Sequence, residues 1–174
     1  MPRYMIELVH RYYMCNNYLT KIEIPIKYRK RVSGREKEFV KFLDLIAYRD
    51  KNLYLIECRS FKNVKKIKAS LERICRFYEY VDQNLKELIE VYGLPRDVSI
   101  HRLLVVEKDD YLKLEKYGSL LKRCGIELLL LDNLLKDIID CAKREFELRW
   151  SRGEGDTILA IIAYLNRYYE SLER

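Results

Sequence analysis

The sequence predicts an α/β fold: a mixed sheet, with antiparallel strands first and parallel crossovers after, flanked by helices. Three observations carry this. Lys21–Tyr28 and Phe42–Ser60 contain strand-like apolar runs joined by polar turns. Asn63–Tyr92 repeats apolar residues every three or four positions, as a helix does. Two continuous apolar runs, Ile100–Val106 and Ile126–Leu131, then alternate with helical patterns, which is the mark of buried parallel strands. The order is α-β-β-β-α-β-α-β-α-α, in one domain spanning residues 1–174.

Residues 3 to 14 form the first predicted helix, with Met5, Leu8, Val9 and Tyr12 on one stripe. Glu7 lies off that stripe, beside Arg3, His10 and Arg11. The first strand alternates, with Ile22, Ile24, Ile26 and Tyr28 inward and charged residues outward; Pro25 in the outward set marks it as an edge strand. Arg29 to Arg35, with Ser33-Gly34, reads as a basic mobile loop. Arg49-Asp-Lys-Asn52 is a polar turn closing an antiparallel hairpin between the second and third strands.

A single long helix is expected from Asn63 to Tyr92, its seam running through Val64, Ile67, Leu71, Ile74, Tyr78, Val81, Leu85 and Leu88. Unbroken, it would reach about 45 Å, more than a small sheet needs for cover. Its end therefore either meets a partner chain, a second copy making a homodimer, or overhangs and bends before Gly93-Leu-Pro95. Asp109 or Asp110 is expected to cap a helix ending near Gly125. A helix from Leu134 to Trp150, the break Ser151-Arg-Gly-Glu-Gly155 and a last amphipathic helix capped by Asp156 complete the chain. That last helix carries Ile158, Ile161, Ile162, Leu165 and Tyr169.

Within the hairpin, two apolar strands each carry one carboxylate, Asp44 and Glu57, where a core strand would carry Val or Leu. Ionised carboxylates are almost never buried unpaired, because desolvation costs several kcal/mol. A turn centred between Asp50 and Lys51 sets Tyr48 opposite Leu53 and Asp44 opposite Glu57. Alternation then puts Arg59 on the face of Glu57, with Ile56 and Cys58 in the opposite layer. A bulge at Asn52 would instead slide Asp44 opposite Cys58. The compensating charge is either a divalent cation or Arg59.

The net charge of +7 is uneven. Arg59–Arg76 holds seven basic residues against Glu72 alone, and Lys21–Lys37 holds seven against Glu23 and Glu36. Either cluster alone would be a solvated face; two flanking the carboxylate hairpin point to a polyanion partner. The five cysteines are scattered singly without a Cys-x-x-Cys pair, so they read as small buried hydrophobes rather than zinc ligands, a disulfide staying open. One glutamine among abundant Lys, Arg and Glu leans toward a thermophilic source. No apolar run has the length of a membrane span, and the N-terminus turns polar too soon for a signal peptide. The expectation is a soluble cytoplasmic protein.

Helix, three antiparallel strands, helix, strand, with Asp on the second strand and Glu-x-basic on the third, resembles the PD-(D/E)XK nuclease superfamily. The likeness is to archaeal Holliday junction resolvases and Mrr-like endonucleases. Phe42-Leu-Asp-Leu-Ile-Ala and Leu-Ile-Glu-Cys-Arg-Ser60 carry it, over a core of about residues 3–106. The resemblance implies a restriction-endonuclease-like αβββαβ core with a C-terminal βα extension from about residue 107. It implies a Mg²⁺- or Mn²⁺-dependent DNA endonuclease, acting on branched or duplex DNA, with Asp44 and Glu57 as metal ligands. Glu7 matches the position of a third acidic ligand, the alternative being an exposed helix glutamate. Such a cation would polarise the scissile phosphodiester and activate water. Lys62, Lys65 and Lys66 would hold phosphates at the start of the long helix, alongside Arg29, Lys30, Arg31 and Arg35.

Two positions depart from the family pattern. Leu43 replaces the proline before Asp44, and Arg59 stands where the family has lysine. A guanidinium cannot give up a proton, so Arg59 cannot be a general base. It could orient the water or neutralise developing charge, or Lys62, one turn on, could reach back into the site. The competing reading makes Arg59 a salt-bridge partner that pacifies both acids, leaving a fold that binds nucleic acid or scaffolds a complex without cutting. Other classes fare worse. There is no Gly-x-Gly-x-x-Gly or phosphate loop, and only His10 and His101 could serve a histidine-based hydrolase.

Overall fold

In a computed structural model of the chain, residues 3–62 and 64–149, together with Ile162, are described. The chain divides into two compact units, Met1–Leu131 and Asp132–Arg174. The first unit is a five-stranded mixed sheet with helices on both faces, in the spatial order β1-β2-β3-β4-β5. Strands β1 (Leu19–Val32), β2 (Arg35–Arg49) and β3 (Asn52–Cys58) form an antiparallel meander. Strands β4 (Ser99–Val106) and β5 (Ile126–Leu130) continue it in parallel. The α/β class and the switch from antiparallel to parallel are thus as expected, with β1 at an edge and Pro25 exposed on it.

Helix α1 (Arg3–Cys15) packs over β1 and β2, and Tyr13 meets Tyr54 of β3 with ring centroids 5.7 Å apart. Its buried stripe is Met5, Ile6, Val9 and Tyr13, one step round from the expected Met5, Leu8, Val9 and Tyr12. Tyr13, rather than Tyr12, is drawn in because Tyr18 and Tyr54 make a ring cluster with it. The opposite face of the sheet is covered by α2 (Ile67–Gln83) through Leu71, Ile74, Phe77, Tyr78 and Val81. The buried Tyr78 hydroxyl donates to the Leu103 carbonyl at 2.7 Å, with the Leu55 carbonyl at 3.1 Å, where β3 and β4 lie side by side.

The single long helix is not formed. Helix α2 ends at Gln83 and α3 (Leu85–Val91) follows after Asn84. The Asn84 amide donates to the Tyr80 carbonyl and to the Lys27 carbonyl of β1, both at 2.8 Å. This side-chain competition for backbone acceptors interrupts a helix that the apolar spacing alone would continue. Gly93 (φ 62°) then closes α3, with Leu94 N donating to Ile89 O and Gly93 N to Glu90 O, a Schellman arrangement. At the front, Val64, Lys65 and Lys66 precede α2 instead of opening it, and Asn63 lies outside the described residues.

The expected basic loop at 29–35 is also replaced by regular structure. Strands β1 and β2 run on to Val32 and Arg35, and Ser33 (φ 50°) with Gly34 (φ 80°) makes a two-residue turn. Asp50 (φ 50°) and Lys51 (φ 65°) close the β2–β3 hairpin in the same way. Both left-handed pairs match the twist of hairpin strands.

Asp109 and Asp110 do not cap the next helix. Helix α4 (Lys108–Leu114) begins after Glu107, and a 3₁₀ turn (Glu115–Tyr117) separates it from α5 (Gly118–Arg123). Gly125 (φ 63°) follows α5, as expected of a C-terminal cap. A Cys75–Cys124 disulfide ties α2 to the end of α5, so these two cysteines are cross-linked, while Cys58 is a buried thiol as the composition suggests.

Helix α6 (Leu131–Arg149) begins three residues earlier than expected. It buries Leu134, Ile138, Cys141 and Ala142 at helical spacing. The expected end at Trp150, the break at 151–155 and the last helix lie outside the described residues, except for Ile162, which is helical.

Candidate functional site

The site is built where β2, β3 and α2 meet. The β2–β3 ladder runs from Arg49↔Asn52 through Tyr48↔Leu53 to Leu45↔Ile56 without a slip. The paired residues end there, one step short of Asp44 and Glu57, and no bulge at Asn52 intervenes. Both acids are withdrawn from water: Glu57 is 0% and Asp44 3% exposed.

Their surroundings compensate them in part. Asp44 Oδ2 accepts the Cys58 backbone N–H at 2.8 Å. Glu57 Oε2 accepts from the Arg59 guanidinium and lies 3.8 Å from Lys41 Nζ. Glu57 Oε1 is buried and has no hydrogen-bond partner. Burial drives the Glu57 carboxyl up to about 7, the neighbouring Asp44 adds to this, and Arg59 and Lys41 pull it back. Burial likewise raises Asp44, against the Cys58 hydrogen bond. The Lys41 ammonium is lowered by burial, although Glu57 opposes the shift.

Lys41 was not among the expected site residues, and the reason is geometric. Strict alternation along β2 would put it on the face opposite Asp44. In the fold, Leu43 and Ile46 share one core layer with Leu53 and Leu55, although they are three residues apart. Alternation therefore breaks between them. The β1–β2 ladder lacks a pair at Glu23 and Asp44, and Glu23 carries φ 53° there. A left-handed residue reverses the pleat, so Ile24 and Ile26 fall in the core layer of α2 while Thr20, bonded to His10 of α1, belongs to the other face. The expected uniform series Ile22, Ile24, Ile26, Tyr28 is divided at the same point. The irregularity brings Lys41, Asp44 and Glu57 to one face. The only trace of it in the sequence is a lysine, three residues before Asp44, in the otherwise apolar run Phe39–Ala47.

The remaining expected residues distribute as follows. Lys62 Nζ pairs with Glu107 Oε2 at 2.7 Å, and the Tyr4 hydroxyl donates to the other oxygen of Glu107. Glu7 is half-exposed on α1. Among the described residues no three His, Cys, Asp or Glu side chains converge to hold a metal ion, so Glu7 does not complete a triad with Asp44 and Glu57. Lys65 and Lys66 are exposed ahead of α2. Arg29, Lys30, Arg31 and Arg35 lie along the tip of the β1–β2 hairpin, where Arg29 faces Glu38, Arg31 faces Glu36 and Lys30 faces Lys37. Asp110, with no expected role in the site, is wholly buried, accepting from Phe61 N at 2.6 Å and from Lys113 at 3.1 Å.

Compared with known proteins, the chain matches no family model, no curated protein and no solved structure. No helix among the described residues is long and apolar enough to cross a membrane.

Proposed function

We propose that the chain is a metal-dependent DNA endonuclease of the PD-(D/E)XK type, cutting phosphodiester bonds of duplex or branched DNA at Asp44 and Glu57. One observation carries the reading: two buried carboxyl groups stand side by side on adjacent strands, and Glu57 Oε1 lacks any donor. A buried carboxylate oxygen without a partner is costly, and a proton or a hard cation would satisfy it. The donor set fits Mg²⁺ or Mn²⁺, which takes one or two carboxylates and keeps several waters. Asp44 and Glu57 would hold the ion, and Glu7 is not needed. When bound, the cation would polarise the phosphoryl oxygens and lower the pKa of an attacking water.

The chain's own residues divide the remaining work. Arg59 stays charged and orients Glu57, and cannot take a proton. Lys41 Nζ, partly withdrawn from water beside Glu57, is the amine able to hold and release a proton at the site. Cys58 N–H fixes Asp44 Oδ2.

A second reading has its own support. Arg59 and Lys41 both already pair with Glu57 Oε2. That favours a nuclease-fold protein that binds nucleic acid without cutting.

Calorimetric titration with Mg²⁺ and Mn²⁺, paired with nicking assays, separates the two. The expected result is cation binding and strand cleavage in the wild type, both abolished in Glu57→Gln. Undiminished cleavage by that variant, or a wild type that binds no divalent cation, would overturn the enzymatic reading.

A further inference from the structure

A cavity of about 310 Å³ lies between the β1–β2 hairpin and α2, beside the two acids. Four cations line it, Lys30 and Lys41 from the strands and Arg73 and Arg76 from α2, and no acidic residue does. Its remaining lining is aromatic: Tyr28, Phe77 and Tyr80. Tyr28 and Tyr80 are stacked, with centroids 4.4 Å apart and planes 16° from parallel. Lys41 joins cavity and site, its Nζ 3.4 Å above the Phe77 ring and 3.8 Å from Glu57 Oε2.

The charge on the hairpin is sorted by face. Successive ladder pairs alternate between faces, so Tyr28↔Phe39 and Lys30↔Lys37 share the cavity side with Ile26↔Lys41. On the other side Arg29 faces Glu38 and Arg31 faces Glu36. Two cations of that face thus stand opposite acids. The cavity face sets Lys30 directly across from Lys37, an arrangement that costs stability unless an anion relieves it.

We infer that this cavity binds one nucleotide of an unpaired polynucleotide strand, with Lys30, Arg73 and Arg76 on the flanking phosphates and the aromatic wall against the base. Cations tracking a backbone beside aromatic rings are the chemistry of single-strand binding. The volume suits one nucleotide, and a double helix does not enter it. The inference deepens the nuclease reading, narrowing its substrate to branched DNA with an unpaired strand, and rests on it for the role of that strand, which Lys41 would lead toward Asp44 and Glu57.

The test measures binding without cleavage, by fluorescence anisotropy in EDTA. The probes are an oligothymidylate of about ten nucleotides and a blunt duplex of the same length. The wild type should bind the single strand about tenfold more tightly than the duplex. Arg73→Ala/Arg76→Ala should weaken single-strand binding by roughly tenfold or more and flatten its dependence on salt. Should that double variant fail to give a native circular dichroism spectrum, Lys30→Ala/Lys37→Ala, at exposed strand positions, is expected to show the same loss. Equal affinity for duplex and single strand, or folded cavity variants that bind like the wild type, would overturn the inference. Normal strand binding with no cleavage in Mg²⁺ would uphold the cavity and remove only the nuclease reading.

Discussion

Glu57 is the residue on which the chemistry turns, and its protonation can be followed through stability. Its carboxyl sits near 7 in the fold against an ordinary value of 4.5, because burial and Asp44 outweigh Arg59 and Lys41. The native state therefore holds a proton that the unfolded chain has released between those two values. Stability should fall as pH rises from about 4.5 to 7, by on the order of 1–3 kcal/mol, with Asp44 shifted in the same direction. Urea unfolding at pH 5 and pH 7.5 measures this, and Glu57→Gln should flatten the profile. A variant whose stability still falls as steeply would place the titration elsewhere. The two acids and Arg59 are recognisable in the sequence because charges in apolar strands are rare. Lys41 is hidden because its face depends on a backbone reversal at Glu23.

Among the elements, the β2–β3 hairpin behaves as its turn suggests, whereas residues 29–35, expected as a loop, close a second hairpin. Asp50-Lys51 and Ser33-Gly34 each supply left-handed residues at the point where the chain reverses. The helices behave less simply. Apolar spacing runs unbroken past Asn84, yet the bond from its amide to Lys27 of a distant strand interrupts the helix. The cysteines show the same dependence on tertiary contact. Cys75 and Cys124 are 49 residues apart, and nothing in their spacing pairs them. Closing a loop of that length should stabilise the fold by about 2–4 kcal/mol, chiefly by restricting the unfolded chain. Cys75→Ser should accordingly lower the urea midpoint without reductant. An unchanged midpoint would mean that the bond constrains nothing the fold does not already hold.

At the scale of the whole molecule, the excess of positive charge is a statement about partners rather than about fold. Its arrangement gives it content: acids on one face of the β1–β2 hairpin, uncompensated cations on the other and along α2. With about four cations engaging phosphates, affinity for a single strand should fall roughly tenfold to a hundredfold between about 50 and 200 mM salt. Anisotropy titrations over that range check it. Salt-independent binding would show that the basic face is not what meets the polyanion.

The sequence by itself determined the order of the strands, the antiparallel-to-parallel sheet and the β2–β3 hairpin register near Asp44 and Glu57. Those follow from period-two alternation, turn residues and apolar runs, which are local properties of the chain. Only the tertiary structure decided that Lys41 joins the acids, that Lys62 turns to Glu107, that Asn84 ends α2 and that Arg73 and Arg76 face the hairpin across a cavity. Each of these depends on a contact between residues far apart in the chain or on one reversed backbone angle, and neither leaves a periodic trace along the sequence.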